Sequence, residues 1–311
     1  MATQHQIAGC LLGLALGDAM GAPHEGGLIE RLAWKLIGKT RQGKMRWTDD
    51  TQMTIDTMES LVACGCIDQK DLAYRFAQSY QWSRGYSPAT AKLLKRIRRG
   101  QSWETVNRSV YPDGSFGNGG AMRSPAIGLF FATDNEDELV NAACSSADVT
   151  HPHQFAREGA VLIALTSALA CKDIDSTEII ERLCQRIESP EFLGKLLTAK
   201  TWLQAGANAT PRTVVAGLGN GFTAVESCVT AIYIALAFRN RSFNDLLAFA
   251  ISLQGDVDTI AAMACAIWGT VNGSDAIPHL YLEQLEQYDR LKTVAQSLSE
   301  AVSKHQTTGN T

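Results

Sequence analysis

The run Ile7-Ala8-Gly9-Cys10-Leu11-Leu12-Gly13-Leu14-Ala15-Leu16-Gly17-Asp18-Ala19-Met20-Gly21-Ala22 places a glycine at every fourth position. On an α-helix that spacing lines the glycines along one slowly drifting face. A glycine inside a helix costs about 1 kcal/mol relative to alanine, so four on one face demand a tertiary reason. With no side chains in the way, a second helix or a strand of backbone can approach closely. Leu11, Leu12, Leu14 and Leu16 cover the other sides, which predicts a helix buried all round. Asp18 is the one charge in the run, and a buried carboxylate needs partners. Either it caps or pairs with a neighbouring segment, or it supports a metal site from behind the ligands.

Outward from this run, the chain continues in helical patterns. Thr48 to Cys64 reads as a cap and a helix with Met53, Met58, Leu61 and Val62 inward. Leu72–Trp82 and Thr90–Arg99 are amphipathic, and Ser124–Ala132, Leu139–Ala147, Ala156–Ala170, Val225–Phe238 and Phe243–Ile251 read as helices. Ile174 to Ala205 supplies one or two more. Thr259–Trp268 is a helix of small residues, again suited to close contact, and His279–Val302 reads as a charged surface helix. There is no alternating strand pattern of useful length and no fixed-period repeat. The expectation is an all-α, compact, single-domain orthogonal helical bundle over residues 1–303, followed by a flexible tail over 304–311.

Composition narrows the function classes. In 311 residues, 45% are apolar, enough for a sizeable core. The formal net charge is −4, and the cations of Lys92–Arg99 read as a solvated helix face, which argues against a nucleic-acid partner recognised by charge. The eight cysteines are scattered, and Cys64-Gly65-Cys66 lacks the Cys-x-x-Cys spacing of zinc or redox sites. A reduced, cytoplasmic protein is expected. No basic segment precedes the first apolar run, and no apolar stretch reaches membrane-spanning length, so neither a secretory signal nor a membrane span is expected.

Chemistry concentrates in two acidic stretches, Trp47-Thr48-Asp49-Asp50-Thr51 and Gly255-Asp256-Val257-Asp258-Thr259. Each places two carboxylates and a threonine hydroxyl ahead of a helix-patterned run. Taken singly, each is also an ordinary helix cap. Brought together, the four acids would repel by about 1 kcal/mol per pair at 4 Å in water and by several times that in a cleft. Hard divalent cations take oxygen ligands of this kind. Between the two stretches lies the glycine-rich loop Tyr111-Pro-Asp-Gly-Ser-Phe-Gly-Asn-Gly-Gly-Ala-Met-Arg123, whose backbone N–H groups are free of side-chain obstruction. Asn118 and Arg123 are its groups best placed to read a ligand, although Arg123 serves equally well as a structural donor. His151 is a site-lining candidate ahead of His153, since Pro152 in a helix's first turn also explains their spacing. Glu25, in Pro23-His24-Glu25-Gly26-Gly27, sits on a loop.

These pieces, in this order, resemble the ADP-ribosylglycohydrolases, the group that includes dinitrogenase-reductase-activating glycohydrolase. The resemblance rests on Gly9-x3-Gly13-x3-Gly17-Asp18-Ala19-x-Gly21 with Pro23 and Glu25, on both acidic stretches, on Gly117-Asn118-Gly119-Gly120-Ala121-Met122-Arg123, and on Thr150-His151. It implies an all-α fold with a central cleft for two divalent cations, Mg²⁺ or Mn²⁺. It implies Thr48, Asp49, Asp50, Asp256, Asp258 and Thr259 as metal ligands. Asn118, Gly119, Gly120, Met122 and His151 are expected around the ADP-ribose moiety, and Glu25 on a flap that gates the site. Val257 stands where the family usually has threonine. The expected reaction is release of ADP-ribose from a modified protein side chain or a small ADP-ribosyl molecule, with arginine linkage favoured and Asp50 and Glu25 catalytic. The competing readings are a non-catalytic ADP-ribose binder and a metal-dependent nucleotide phosphoesterase. A monomer is expected.

Overall fold

Each glycine of the opening run meets backbone of a helix from the far end of the chain. A Cβ on Gly9, Gly13 or Gly17 would lie 2.2, 2.3 or 2.4 Å from the carbonyl oxygens of Gly269, Cys265 and Ala261, and one on Gly21 would lie 2.7 Å from Asp258 Cα. As one set of numbers rises the other falls, so the helices run antiparallel, closer together than any side chain would permit. In this computed structural model, which describes residues 2–133, 135–172, 174–206 and 209–309, that pair is the axis of the molecule.

The helices are α1 Gln4–Gly21, α2 Leu28–Ile37, α3 Asp49–Cys64, α4 Gln69–Ser79, α5 Pro88–Arg98, α6 Trp103–Val110, α7 Ser124–Phe130, α8 Glu136–Asp148, α9 Gln154–Ala170, α10 Ser176–Cys184, α11 Pro190–Gln204, α12 Pro211–Leu218, α13 Ala224–Ala237, α14 Phe243–Ser252, α15 Val257–Asn272, α16 His279–Gln284 and α17 Tyr288–Gly309. Among the described residues the only extended pairing is three isolated bridges, so the fold is all-α. Local chemistry sets the helix ends. Thr3 and Gln6 form a reciprocal capping box at the start of α1. Thr48 caps α3, which ends at Gly65 in the left-handed conformation that glycine adopts without strain.

Around the α1–α15 axis, α13, α14 and α17 pack directly on one or both helices. The expected single surface helix over His279–Val302 is corrected: it is α16 and α17, separated by a link in which Gln287 has φ of 50°. Nor is α17 only a surface element, because Leu291, Leu298 and Val302 are fully buried where it packs on α1 and α3. Its charged residues conceal an apolar stripe. Val62, read as inward on α3, is instead exposed. The last helix continues through Gly309, so the segment expected as a tail includes helical residues; Asn310 and Thr311 lie outside the described residues. No described helix is long and apolar enough to cross a membrane.

One buried acid of α3 links fold to pH. Asp56 accepts hydrogen bonds from Gln52 Nε2 at 3.1 Å and Ser79 Oγ at 2.5 Å, and burial pushes its carboxyl up to about 7 from 3.8. A raised folded-state value means the native protein holds this proton more tightly than the unfolded chain. The stabilisation is therefore complete below about pH 4 and is lost as pH rises to about 7, a cost of roughly 4 kcal/mol. Asp56→Asn, which cannot ionise, is expected to raise the melting temperature at pH 8 relative to wild type and to change it little at pH 4.5. Thermal unfolding of both proteins across that range measures the difference.

Candidate metal and substrate cleft

The antiparallel run of α1 against α15 brings the end of α1 to the start of α15, and the start of α3 lies beside both. The two acidic stretches are thereby joined although about two hundred residues separate them. Each opens a helix, where the N-terminal end of the macrodipole favours negative charge. Asp50, Asp256 and Asp258 are buried and Asp49 is half-buried. All four, with Glu25, Thr259 and His151, line one open cleft of 430 Å³.

Asp18 explains how the first stretch is held: it pairs with a neighbouring segment. Thr48 N donates to its two carboxylate oxygens at 2.9 and 3.0 Å, while Thr51 N and Thr51 Oγ1 donate to Oδ2 at 3.0 and 2.5 Å. Asp18 is thus the partner of the segment that carries Asp49 and Asp50. Burial holds its carboxyl up at about 6 despite these donors. The second stretch hangs from the turn at Gly219–Gly221. Asp256 N donates to Asn220 O at 2.9 Å, and Asn220 Nδ2 donates to Leu253 O at 2.9 Å.

The carboxylates form an oxygen cluster. Ligand atoms of Glu25, Asp256 and Asp258 lie within 4.8 Å of one another. Burial first, then neighbouring charge, raises the carboxyls of Asp49, Asp50 and Asp258 well above the ordinary range and pushes Asp256 up to about 7. Such a cluster calls for either protons or a cation. Asp50 Oδ2 is buried with no hydrogen-bond partner, a cost a native protein rarely carries without a ligand. An all-oxygen donor set with an orphaned carboxylate oxygen suits a hard divalent cation.

Opposite the acids, the glycine-rich loop pairs with the 219–223 turn: Asn118 N donates to Phe222 O and Ala224 N to Phe116 O, both at 3.0 Å. Asn118 lines the cleft, and its Nδ2 donates to Asp256 Oδ2 at 2.5 Å and Ser227 Oγ at 3.0 Å. Gly119 is where His151 comes closest, since a Cβ there would lie 2.4 Å from His151 Cε1. Gly119 and Met122 also line the cleft. Thr48 and Gly120 are buried and are not among its lining residues. Burial, and secondarily the charge of Arg123, lowers His151 to about 3, so the imidazole is neutral.

Two ambiguities of the sequence are resolved. Arg123 is fully buried and donates to Gly119 O, Ser146 O and Thr150 Oγ1, so it braces the loop and does not reach a ligand. His153 is the N-cap of α9, accepting from Phe155 N at 3.1 Å. Sequence reasoning missed Met53, Gly85, Ser87, Thr90 and Phe222 as cleft residues. Ser87-Pro88 signals a helix start, but nothing in that signal places α5 at the cleft.

The chain as a whole is similar to known proteins. The family model ADP-ribosylglycohydrolase matches residues 1–308. The ADP-ribosylhydrolase ARH3 of Mus musculus is 32% identical, the alignment covering 94% of this chain and 90% of that one. The ADP-ribosylhydrolase ARH3 of Homo sapiens is also 32% identical, covering 96% and 94%. A solved structure described as an ADP-ribosylglycohydrolase-related protein complex shares the fold, with a TM-score of 0.69, 24% identity and coverage of 96% of this chain and 98% of that one.

Proposed function

Because this chain belongs to the ADP-ribosylglycohydrolase family and is a glycohydrolase of ADP-ribose, we propose that it uses two divalent cations, Mg²⁺ or Mn²⁺, to release ADP-ribose from a modified protein side chain. The observation that carries this reading is the meeting of Asp49 and Asp50 with Asp256 and Asp258 in one cleft, with Asp50 Oδ2 left unpartnered.

Thr48, Asp49, Asp50, Asp256, Asp258 and Thr259 would hold the ions, Thr48 through the same hydroxyl that caps Asp50 N at 3.3 Å. When bound, the ions supply Lewis acidity and a template for substrate oxygens. Breaking the bond at C1 of the ribose builds positive charge on the sugar ring, and carboxylates facing that ring stabilise it. Asp50 accepts the proton of the attacking water. Glu25, half-buried at the mouth and within reach of Asp256 and Asp258, governs access and assists proton transfer to the leaving group. Asn118 fixes Asp256 in place, and the glycine-rich loop would flank the ADP-ribose moiety, with neutral His151 beside it. Phe116 and Phe222, both exposed on the rim, offer flat apolar surface.

Family prevalence favours arginine linkage. The linkage is put to experiment. Arginine-, serine- and other O-linked ADP-ribosylated substrates, with small ADP-ribosyl molecules, are incubated with Mg²⁺ or Mn²⁺ and the products identified. Free ADP-ribose from at least one linkage is expected. Inorganic phosphate or a nucleotide monophosphate instead would establish the phosphoesterase reading, and binding without turnover of any member of the panel would sink the proposal.

A further inference from the structure

The segment entering the acidic cluster is gripped from behind by two side chains outside the cleft, those of Arg84 and Glu286. Trp47, immediately ahead of Thr48-Asp49-Asp50, belongs to no helix. Its N–H donates to Glu286 Oε1 at 3.1 Å, and its carbonyl accepts from Arg84 Nη1 at 2.7 Å. The same Arg84 nitrogen donates to Glu286 Oε1, and the guanidinium lies 5.0 Å from the centre of the Trp47 ring. Trp47, Arg84 and Glu286 are 0, 2 and 6% exposed. Arg84 ends a 3₁₀ turn at Trp82–Arg84, and Glu286 lies in the α16–α17 link, so two remote parts of the chain meet on the backbone of one residue. Glu286 is itself located by its N–H donating to Met45 O at 2.9 Å.

With Asp18 holding Thr48 N and Thr51 N from the α1 side, the backbone N–H groups of residues 47, 48, 50 and 51 go to carboxylate or hydroxyl groups and the Trp47 carbonyl to a guanidinium. A rotation about the Trp47–Thr48 link would swing Asp49 and Asp50 together. Sites of this kind tolerate only about 0.5 Å or 10–20° of such movement. A buried ion pair is weak evidence of stability in itself, because desolvation offsets much of its attraction. Its value here lies in where it points the chain.

We infer that Arg84 and Glu286 are positioning residues for the Asp49–Asp50 carboxylates, acting on metal affinity and turnover through the Trp47 peptide. The inference rests on the metal-dependent reading above. The test strips wild type and Glu286→Gln with a chelator and titrates each with Mn²⁺ by calorimetry, then measures kcat and KM at saturating Mn²⁺. Ile180→Ala, a cavity in fully buried α10 packing, supplies a destabilised control away from the cleft. Glu286→Gln is expected to lose about 10–100-fold in Mn²⁺ affinity, with a lower kcat and little change in KM, while Ile180→Ala keeps wild-type affinity despite a lower melting temperature. Should Glu286→Gln fail to fold, Arg84→Gln/Glu286→Gln, which leaves no buried charge unpaired, replaces it with the same expectation. Mn²⁺ affinity within twofold of wild type in the folded variant overturns the inference alone. Equal losses in Ile180→Ala overturn it too, by reducing the effect to general instability. A wild-type protein that takes up no Mn²⁺ overturns both it and the reading beneath it.

Discussion

Asp50→Ala is expected to abolish most ADP-ribose release, a fall of about 10³-fold or more in kcat/KM at saturating Mg²⁺ or Mn²⁺, with the protein still folded. The substitution removes a carboxylate proposed both to ligate metal and to accept a proton. A Lewis-acid contribution is worth several kcal/mol, and each 1.4 kcal/mol is about tenfold in rate. Folding survives because Asp50 Oδ2 has no partner to lose and the segment is held by Asp18 through Thr48 and Thr51. The melting temperature without metal should even rise, since a buried charge among like charges has gone. Metal content measured on the purified variant separates loss of the ion from loss of the base. Activity within tenfold of wild type at full metal loading would remove Asp50 from the mechanism.

The second large effect concerns the α1–α15 contact. Gly13→Ala and Gly194→Ala are the same substitution inside helices, and opposite signs are expected. At Gly194, in α11, an added Cβ meets nothing within 4 Å, so the protein should gain about 0.5–1 kcal/mol from helix propensity. At Gly13 the methyl would sit 2.3 Å from the Cys265 carbonyl oxygen. Backbone on both sides cannot yield as a flexible side chain would, and overpacking of a core costs roughly 1–3 kcal/mol even where side chains can shift. Gly13→Ala is therefore expected to lower the melting temperature by several degrees or more, and Gly13→Val to prevent folding. Because α1 carries Asp18 and α15 carries Asp256 and Asp258, any Gly13 variant that folds should also lose metal affinity. Thermal unfolding of Gly13→Ala and Gly194→Ala side by side gives the comparison; a stabilised Gly13→Ala protein would mean that the helices do not touch as described.

The glycine spacing made this contact legible before any coordinates, because only close backbone approach explains four helix-weakening residues on one face. What it could not show was the partner. The small residues of α15 advertise the same property, and pairing the two requires knowing that both glycine and alanine faces are buried on each other. The acidic stretches were legible for a similar reason: two carboxylates at a helix start are ordinary once and unusual twice. Asp18 was legible as an anomaly, and its partners, the amides of the first acidic stretch, became visible only in three dimensions.

Other features left no local trace. α6 and α12 are eight residues long, too short for a periodic signal to stand out. The buried stripe of α17 is diluted among charged residues, and the break before it depends on Gln287 adopting a positive φ that glycine or asparagine would have signalled. Glycines at 217, 219 and 221 mark a turn, but its role in holding Asp256 depends on Asn220, whose side chain reaches Leu253 across 33 residues. Arg123 was ambiguous because an arginine beside a ligand loop serves either purpose; full burial among carbonyls decides it.

The most direct measurement follows metal and chemistry in one preparation. Chelator-stripped protein is titrated with Mn²⁺ while ADP-ribose release from its best substrate is recorded at each addition. Activity near zero in the stripped protein, recovering in step with the binding of two ions per chain, is the expected result. Full hydrolysis by metal-free protein, or saturation by Mn²⁺ with no gain in turnover, would contradict a metal centre shared between the start of α3 and the start of α15.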